Sequence, residues 1–224
     1  MMGDVRDPAV DSPVSGRGSA ASEPPALHAV VLAAGASTRF GSPKQLVRLR
    51  GRPLLHSAVA SAVEVAGHCV TVVLGANAAT LAPLLRHSPA SVVINRDWPE
   101  GMASSIRVGL AHLPGSAEAV LLLLADQAAL TSEDLKRLVS AWRREPQSIA
   151  AAQYDAGLGV PAIFPRAHFA ALTQLRGDQG ARVLLRGAAH LVRVPLPNAA
   201  IDIDTPEDLL RLNAGGSPDA AAND

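Results

Sequence analysis

The chain is poor in cysteine and in aromatic residues, and its charges cancel. The single cysteine, Cys69, excludes an internal disulfide and a thiolate metal cluster, and its place in an apolar run predicts a small core residue. Lys and Arg together number 20, as do Asp and Glu, so no overall field attracts the chain to nucleic acid or to an anionic membrane. No segment approaches the ~18 apolar residues of a membrane-spanning helix. We therefore expect a cytoplasmic protein without nucleic-acid or membrane partners.

Aliphatic residues dominate what is present. Hydrophobic residues make up 48% of the chain and aromatic residues only 3%, a composition that suits a sheet packed between helices. Residues 1–26 are rich in Pro, Ser, Gly and Ala without apolar periodicity and predict a disordered leader, and residues 214–224 predict a disordered tail for the same reason. We expect one folded domain over residues 27–213.

Within that domain, short apolar runs alternate with longer helical patterns. This alternation is typical of stacked βαβ units and predicts an α/β fold with a mostly parallel, mixed central sheet. Asn77, Thr131 and Thr205 predict helix starts because their side chains can cap a first turn, and Thr131 with Asp134 predicts a capping box. The expected strands are 29–33, 69–74, 91–94, 120–124, 149–153, 160–164, 191–194 and 200–203. The expected helices are 53–65, 77–86, 102–112, 131–143, 165–172, 180–186 and one that follows Thr205.

The segment after the first expected strand carries small residues and two cations. Residues 32–44 read LAAGASTRFGSPK. Gly35 lets the backbone approach a ligand, exposed N–H groups can bind an anion, and Arg39 and Lys44 add positive charge. The spacing is neither that of a Walker loop nor that of a dinucleotide fingerprint. From these residues alone, a glycine-rich turn with solvated cations is an equal alternative to a phosphate-binding loop.

Carboxylates follow two of the expected strands. Asp126 comes directly after the most apolar run, residues 120–124, where an unpaired charge is unfavourable, so it is the best metal candidate. The alternative is that it caps the next turn. Asp202 and Asp204 alternate along an extended segment and therefore share one face. We favour Asp204 as a second metal-side residue, the alternative being surface acids beside the cap at Thr205.

Two further polar stretches join strands to helices. Residues 95–110, NRDWPEGMASSIRVGL, precede a helix whose N-terminal amides and hydroxyls can bind an anion or a ribose. The alternative is a capped helix packed by Trp98. Residues 177–182, GDQGAR, place Asp178 and Arg182 on one helical face, so an ordinary ion pair explains them equally well.

These motifs together resemble the sugar-nucleotide-type nucleotidyltransferases, whose loop reads Leu-Ala-Ala-Gly-x-Ser/Gly-x-Arg-Met-Gly and continues to a Lys. The later motifs are similar to those of the molybdenum cofactor cytidylyltransferases. Phe40 replaces the usual Met, and Ala128 stands where that subfamily usually has Pro. The resemblance covers about residues 29–212 and implies a three-layer, Rossmann-like nucleotidyltransferase fold. The later stretches that carry it are residues 95–110, 159–164, 177–182 and 201–208.

The resemblance also implies roles for the matching positions. Arg39, Lys44 and Asp126 are implied to be catalytic, and Asp126 with Asp204 to hold Mg²⁺, for which Mn²⁺ could substitute. The implied nucleotide-binding set is Leu32, Ala33, Ala34, Gly35, Ser37, Arg39, Lys44, Gly75, Asn95, Ser105 and Asp126. The implied acceptor-binding set is Gly101, Met102, Gln127, Asp178, Gly180 and Arg182.

The implied reaction is transfer of CMP from CTP to molybdopterin, the molybdenum cofactor, with release of pyrophosphate. The product is the cytosine dinucleotide cofactor of xanthine dehydrogenase-like enzymes, and such an apoenzyme is the implied partner. Three alternatives remain. A guanylyltransferase for the same acceptor usually carries Ala-Gly-Gly where residues 33–35 are Ala-Ala-Gly, a methylerythritol phosphate cytidylyltransferase shares the Pro-Lys-Gln of residues 43–45, and a non-catalytic carrier would only hold the cofactor.

Overall fold

The computed structural model describes residues 26–154, 157–201, 203, 208–210 and 212. Several expectations fall outside this part of the chain. They are the leader up to residue 25, the tail from residue 214, the two carboxylates Asp202 and Asp204, and the helix cap at Thr205.

One sheet contains seven strands: β1 (Leu27–Ala33), β4 (Val70–Leu74), β5 (Ser91–Ile94), β6 (Ala119–Leu124), β7 (Ile149–Tyr154), β8 (Gly157–Pro165) and β9 (Leu191–Pro195). Their spatial order is β5-β4-β1-β6-β8-β7-β9. Strand β8 runs antiparallel to its neighbours β6 and β7, and the other pairings in this sheet are parallel, so the predicted mostly parallel, mixed sheet is confirmed. A separate two-stranded ribbon pairs β2 (Arg48–Leu49) with β3 (Arg52–Pro53).

Helices cover both faces of the sheet, as the three-layer expectation requires. The α-helices are α1 (Leu54–Ala66), α2 (Ala78–Leu81), α3 (Met102–Ala111), α4 (Ser132–Arg144), α5 (Phe169–Thr173) and α6 (Arg182–Leu185). The predicted capping box of α4 is present, since the side chains of Thr131 and Asp134 each accept a hydrogen bond from the other's backbone N–H.

Alternation along the central strand β1 explains why the core has two halves. Val31 faces α1 and α4 in one apolar cluster, and Val30 faces α3 in the other. Trp142 of α4 fills the first cluster and Phe164 of β8 fills the second, and both are fully buried. Burial on both faces is why β1 and β6 are continuous apolar runs in the sequence.

The structure corrects several expectations. Cys69 is exposed rather than in the core, because it lies in the turn between α1 and β4. Ala200, the first residue of the segment expected to be extended over 200–203, is instead the last residue of the 3₁₀ turn Pro197–Ala200, whereas Ile201 is extended as expected. The helix expected over 77–86 is one α-helical turn followed by the 3₁₀ segment Ala82–Leu85, since Pro83 provides no backbone N–H for a continuing helix.

Strands β1, β4 and β6 are parallel, so their carboxyl ends meet at one edge of the sheet. In open α/β sheets this edge is where ligands bind. Across the described ranges, no helix is long and apolar enough to cross a membrane.

Candidate active site

A cavity of about 510 Å³ opens at the carboxyl ends of β1 and β6. The loop after β1 forms one side, and the 3₁₀ turn Trp98–Glu100 with the start of α3 forms the other. Residues from four separately predicted segments therefore meet in one place: the loop at 32–44, the stretch 95–110, Asp126 and the stretch 177–182. The predicted site residues that line the cavity are Leu32, Ala33, Ala34, Gly35, Ser37, Lys44, Gly101, Met102, Ser105, Asp126 and Asp178.

Asp126 and Lys44 form an ion pair inside this cavity. The Lys44 ammonium nitrogen lies 2.5 Å from Asp126 Oδ2. Both side chains are mostly buried, with 17% and 22% of their surfaces exposed. A carboxylate at the end of a buried strand needs such a partner because an isolated charge is costly there. The geometry thus supplies one anionic and one cationic group at the same point of the cavity.

The second carboxylate oxygen of Asp126 gives a test of the metal expectation. Asp126 Oδ1 is buried and has no hydrogen-bond partner among the described residues. An unsatisfied carboxylate oxygen is a suitable ligand for a hard divalent cation. No group of three or more His, Cys, Asp or Glu is gathered within the described ranges. The residues present therefore fit a cation that takes one protein carboxylate and completes its shell with substrate oxygens or water.

The side chain of Gln45, a residue to which sequence analysis assigned no role, holds the backbone where β1 passes into the loop after it. Gln45 is buried, and its Nε2 donates to the carbonyls of Ala33 at 3.3 Å and Gly35 at 3.0 Å. The Ser37 hydroxyl donates to Gln45 Oε1 at 3.3 Å. No local periodicity indicates this contact, because its partners lie upstream in the folded loop; only the Pro-Lys-Gln motif could have drawn attention to it.

Asn95 holds the start of α3 by hydrogen bonds made behind the wall of the cavity. Its side-chain amide donates to the hydroxyls of Ser104 at 2.7 Å and Ser105 at 3.0 Å, and its oxygen accepts from the Asp97 N–H at 3.0 Å. Asn95 is almost fully buried and does not line the cavity, whereas Ser105 does. The amide therefore orients the hydroxyl that the cavity presents.

The loop at 177–180 packs directly against the start of α3. The Ala103 N–H donates to the Gly177 carbonyl at 3.0 Å. A Cβ placed on Gly101 would lie 2.5 Å from Asp178 Oδ1, and Gly101 has φ +114°, so no other residue fits there without strain. A Cβ on Gly180 would lie 2.9 Å from Met102 Sδ. The two expected acceptor motifs thus form one wall.

An ion pair fastens this wall. Arg107 donates to the Leu175 carbonyl at 2.8 Å and lies 2.5 Å from Glu100 Oε2. The hydrogen bond from Arg107 is the main reason that the pKa of Glu100 is lowered from its ordinary value of 4.5. Sequence reasoning missed Arg107, although a single cation within an otherwise mostly apolar helix was a usable signal.

Besides Asn95, four of the predicted site residues lie away from the cavity lining: Gly75, Gln127, Gly180 and Arg182. Gly75 packs against the cavity residue Ala34, since a Cβ on Gly75 would lie 2.5 Å from the Ala34 carbonyl oxygen. Gln127 is buried and donates to the carbonyls of Val160 at 2.7 Å and Ala199 at 2.9 Å, so it braces the fold rather than facing an acceptor. Gly180 lies beside Met102 of the cavity wall, and Arg182 is exposed on α6 beside Gly157.

Two further predicted residues, Arg39 and Asp204, lie partly or wholly outside the described part of the structure. The backbone of Arg39 forms the 3₁₀ turn Thr38–Phe40, but its side chain lies outside the described part of the structure. Asp204 lies wholly outside it.

Comparison with known protein families shows which kind of domain contains this cavity. The family description "MobA-like NTP transferase domain" matches residues 29–194, which span every cavity residue named above. The chain belongs to this family. The loop, the cavity and Asp126 therefore lie in an NTP transferase domain, and the enzyme is a nucleotidyltransferase, as predicted.

Individual relatives differ in what their names report. This NTP transferase is 34% identical over 206 residues to nicotine blue oxidoreductase of Paenarthrobacter nicotinovorans, covering 84% of this chain and 97% of that one. The solved structure of Rv0371c from Mycobacterium tuberculosis H37Rv matches with a TM-score of 0.73 and 28% identity, over 85% of this chain and 99% of the other. A further structure of Rv0371c is a complex with manganese.

A more distant structure shows the fold alone. Molybdopterin-guanine dinucleotide biosynthesis protein A from Archaeoglobus fulgidus matches with a TM-score of 0.64 and 18% identity, over 84% of this chain and 97% of that one. The Rossmann-like nucleotidyltransferase fold expected from the sequence is confirmed by these likenesses together with the sheet order.

Proposed function

We propose that this enzyme transfers CMP from CTP to molybdopterin in a Mg²⁺-dependent reaction that releases pyrophosphate. The observation that carries the proposal is the Lys44–Asp126 ion pair at the meeting point of the loop after β1 and the start of α3. The Lys44 ammonium group suits a triphosphate, and the Asp126 carboxylate suits a divalent cation. Their contact supports a position for the reacting phosphate between the two halves of the cavity.

The nucleotide would occupy the side formed by β1 and its loop. Residues 32–37 line this side with small side chains, so the backbone is accessible to a base and to phosphate oxygens. Lys44 would bind the phosphates as a point charge, and Arg39 would add a second cation from the same loop. Ser105, held by Asn95, would donate its hydroxyl to the ribose or to a phosphate.

The acceptor would occupy the opposite side, against Gly101, Met102 and Asp178. Met102 and Trp98 offer apolar surface to a fused ring, and the Asp178 carboxylate offers an acceptor to ring N–H groups. Molybdopterin has both features. The distant likeness to a molybdopterin-guanine dinucleotide biosynthesis protein is consistent with this acceptor class. A cytoplasmic location and delivery of the product to a xanthine dehydrogenase-like apoenzyme complete the proposal.

Transfer would proceed by in-line attack of the acceptor phosphate on the α-phosphorus, with pyrophosphate leaving on the opposite side. No covalent protein intermediate is needed, so the residues act by positioning and by charge. Bound Mg²⁺, held by Asp126 and Asp204, would supply charge neutralisation. Lys44 stabilises the leaving phosphates, and the wall at Gly101 and Asp178 orients the acceptor.

A second candidate is redox chemistry, favoured by the 34% identity to nicotine blue oxidoreductase over nearly its full length. A cavity that binds a nucleotide could instead hold a reduced nicotinamide dinucleotide beside an aromatic substrate. The two functions leave different products, so one experiment separates them.

The test combines the purified enzyme with molybdopterin, Mg²⁺ and CTP, GTP or ATP in parallel, and measures pyrophosphate and the dinucleotide product. Cytosine dinucleotide formed fastest with CTP is the expected result. GTP used as well as CTP would indicate a different base selectivity, and binding without pyrophosphate would indicate a carrier. A separate reaction supplies a reduced nicotinamide dinucleotide with nicotine blue as the electron acceptor. Oxidation of the dinucleotide coupled to reduction of nicotine blue, with no pyrophosphate from any NTP in the first assay, would contradict the proposal in favour of the redox candidate.

A further inference from the structure

The backbone of the loop after β1 shows a marked asymmetry between its carbonyl and amide groups. The carbonyl oxygens at the end of β1 and at the start of the loop, those of residues 32–35, are satisfied by the protein: Leu32 accepts from the Ala125 N–H and Ala34 from the Ala76 N–H, each at 3.1 Å, while Ala33 and Gly35 accept from Gln45. In the described part of the chain, by contrast, the N–H groups of Gly35, Ala36 and Ser37 donate to no other group.

Free amide groups next to satisfied carbonyls are the arrangement that binds an anion. Ser37 adopts the left-handed conformation, with φ 56° and ψ 36°, and the right-handed 3₁₀ turn Thr38–Phe40 follows it. Successive residues of opposite hand gather their N–H groups into an anion-binding concavity. The loop therefore presents positive backbone dipoles only as long as its carbonyls are held away from the ligand.

We propose, on the basis of the proposed nucleotide-binding function, that Gln45 is the positioning residue that keeps this loop selective for phosphate. Its Nε2 holds two of the loop carbonyls, and its Oε1 accepts from the Ser37 hydroxyl at 3.3 Å. Without it, the Ala33 and Gly35 carbonyls lose their donor, and the peptide planes can rotate oxygens toward the triphosphate. Gln45 thus acts through the backbone amides, whereas Lys44 acts by its own charge.

The chemistry of the position allows no close substitute. The three contacts require a planar group with two hydrogens on one side and an acceptor on the other, which only an amide provides. A glutamate has the same shape, but its carboxylate would face two carbonyl oxygens without a hydrogen to share. A methionine matches the length and the apolar burial and removes all three hydrogen bonds. These two variants separate the loss of hydrogen bonds from a change of shape.

The experiment measures binding of CTP and of inorganic pyrophosphate to the full chain by calorimetry, in the wild type, Gln45→Met and Gln45→Glu. Inorganic pyrophosphate reports on the phosphate loop alone. We expect both variants to weaken pyrophosphate and CTP binding by about tenfold or more, since two hydrogen bonds that orient the loop are lost. In transfer assays, KM for the NTP should rise by a similar factor while KM for the acceptor stays within about twofold.

The exposed Gln147→Met is the matched control, and it should leave every one of these constants unchanged. Thermal unfolding of each variant checks that the fold is retained. Wild-type affinity for pyrophosphate in folded Gln45→Met would overturn the positioning role and leave the proposed function standing. Equal increases in KM for nucleotide and acceptor would overturn the proposal too, because they would show that Gln45 has only a general structural role. A wild type that binds neither CTP nor pyrophosphate would overturn the proposed function as well.

Discussion

Lys44 Nζ lies 2.5 Å from Asp126 Oδ2, while Asp126 Oδ1 is buried without a partner in the described structure. The two charges satisfy each other in the structure, and we expect Lys44 to serve the triphosphate and Asp126 the metal ion. A triphosphate would attract the Lys44 ammonium group, and the Asp126 carboxylate would then be available to hold a divalent cation. The ion pair thus links the binding of the nucleotide to the binding of the metal.

The first prediction concerns Asp126 itself. Asp126→Asn keeps the size of the side chain but removes the negative charge that compensates a metal ion, so transfer should fall by about 100-fold or more, with little change in thermal stability. Steady-state release of pyrophosphate with Mg²⁺ measures it. Glu118→Gln, which changes an exposed carboxylate at the opposite end of β6, is the control. Turnover close to that of the wild type would remove the metal role.

The second prediction concerns the order of binding. Because Lys44 competes with a cation for Asp126, Lys44→Met should tighten the binding of Mn²⁺ by several-fold in the absence of nucleotide, while it weakens the binding of CTP. In the wild type, CTP should strengthen Mn²⁺ binding. Titration followed by paramagnetic resonance measures both. Lys136→Met, which breaks a 3.0 Å surface pair with Glu64, should leave Mn²⁺ binding unchanged. Loss of Mn²⁺ affinity in Lys44→Met would contradict the competition.

The third prediction concerns Arg107, whose contacts hold the acceptor side of the cavity in place. Arg107→Met removes the contacts to Glu100 and to the Leu175 carbonyl, so the loop that carries Asp178 should become less ordered. KM for the acceptor should rise by about tenfold while KM for the NTP stays nearly constant. The exposed Arg143→Met on α4 is the control. A rise in KM for the NTP alone would show that Arg107 serves the nucleotide side.

The sequence predicted those parts of the site that depend on local pattern. The loop at 32–44 and Asp126 could be found because small residues and a carboxylate directly follow apolar strands. The contacts of Gln45 and Arg107 could not be found, because their partners are set by how the loop folds back and by how α3 packs on residue 175. Cys69 was misplaced because an apolar neighbourhood in sequence does not distinguish a strand from the turn before it.

The fourth prediction concerns pH and a buried histidine far from the site. His28 lies within β1, with its Nε2 3.0 Å from the Thr71 hydroxyl oxygen and its Nδ1 buried without a described partner. Burial lowers the pKa of His28 from its ordinary value of 6.5. The unfolded chain therefore binds this proton more readily than the folded protein does, and the free energy of unfolding should fall as pH drops below about 6.5.

Denaturant unfolding at pH 7.5 and pH 5.5 measures this loss of stability. His28→Gln keeps a hydrogen-bonding group for Thr71 but cannot gain a proton, so its stability should change less between the two pH values than that of the wild type. His87→Gln, at an exposed position, should retain the dependence of the wild type. Identical pH dependence in wild type and His28→Gln would assign the effect to other groups.

The last prediction concerns the choice of base. Ala34 lines the cavity at the end of β1. It packs tightly against Gly75, where an added Cβ would lie 2.8 Å from the Ala34 methyl carbon, so the Ala34 methyl group has no room to move toward β4. The methyl group therefore narrows the end of the cavity where the base would be read. A pyrimidine should fit better than a purine, and we expect kcat/KM to favour CTP over GTP by at least about tenfold, or about 1.4 kcal/mol.

Ala34→Gly removes that methyl group and should narrow the preference, mainly by raising kcat/KM for GTP. Ala36→Gly is the comparison, since it removes a methyl group elsewhere in the same loop and should affect CTP and GTP alike. Parallel kinetics with both nucleotides provide the measurement. Equal use of CTP and GTP by the wild type would remove the proposed preference for cytidine, because the methyl group would then impose no constraint on the base.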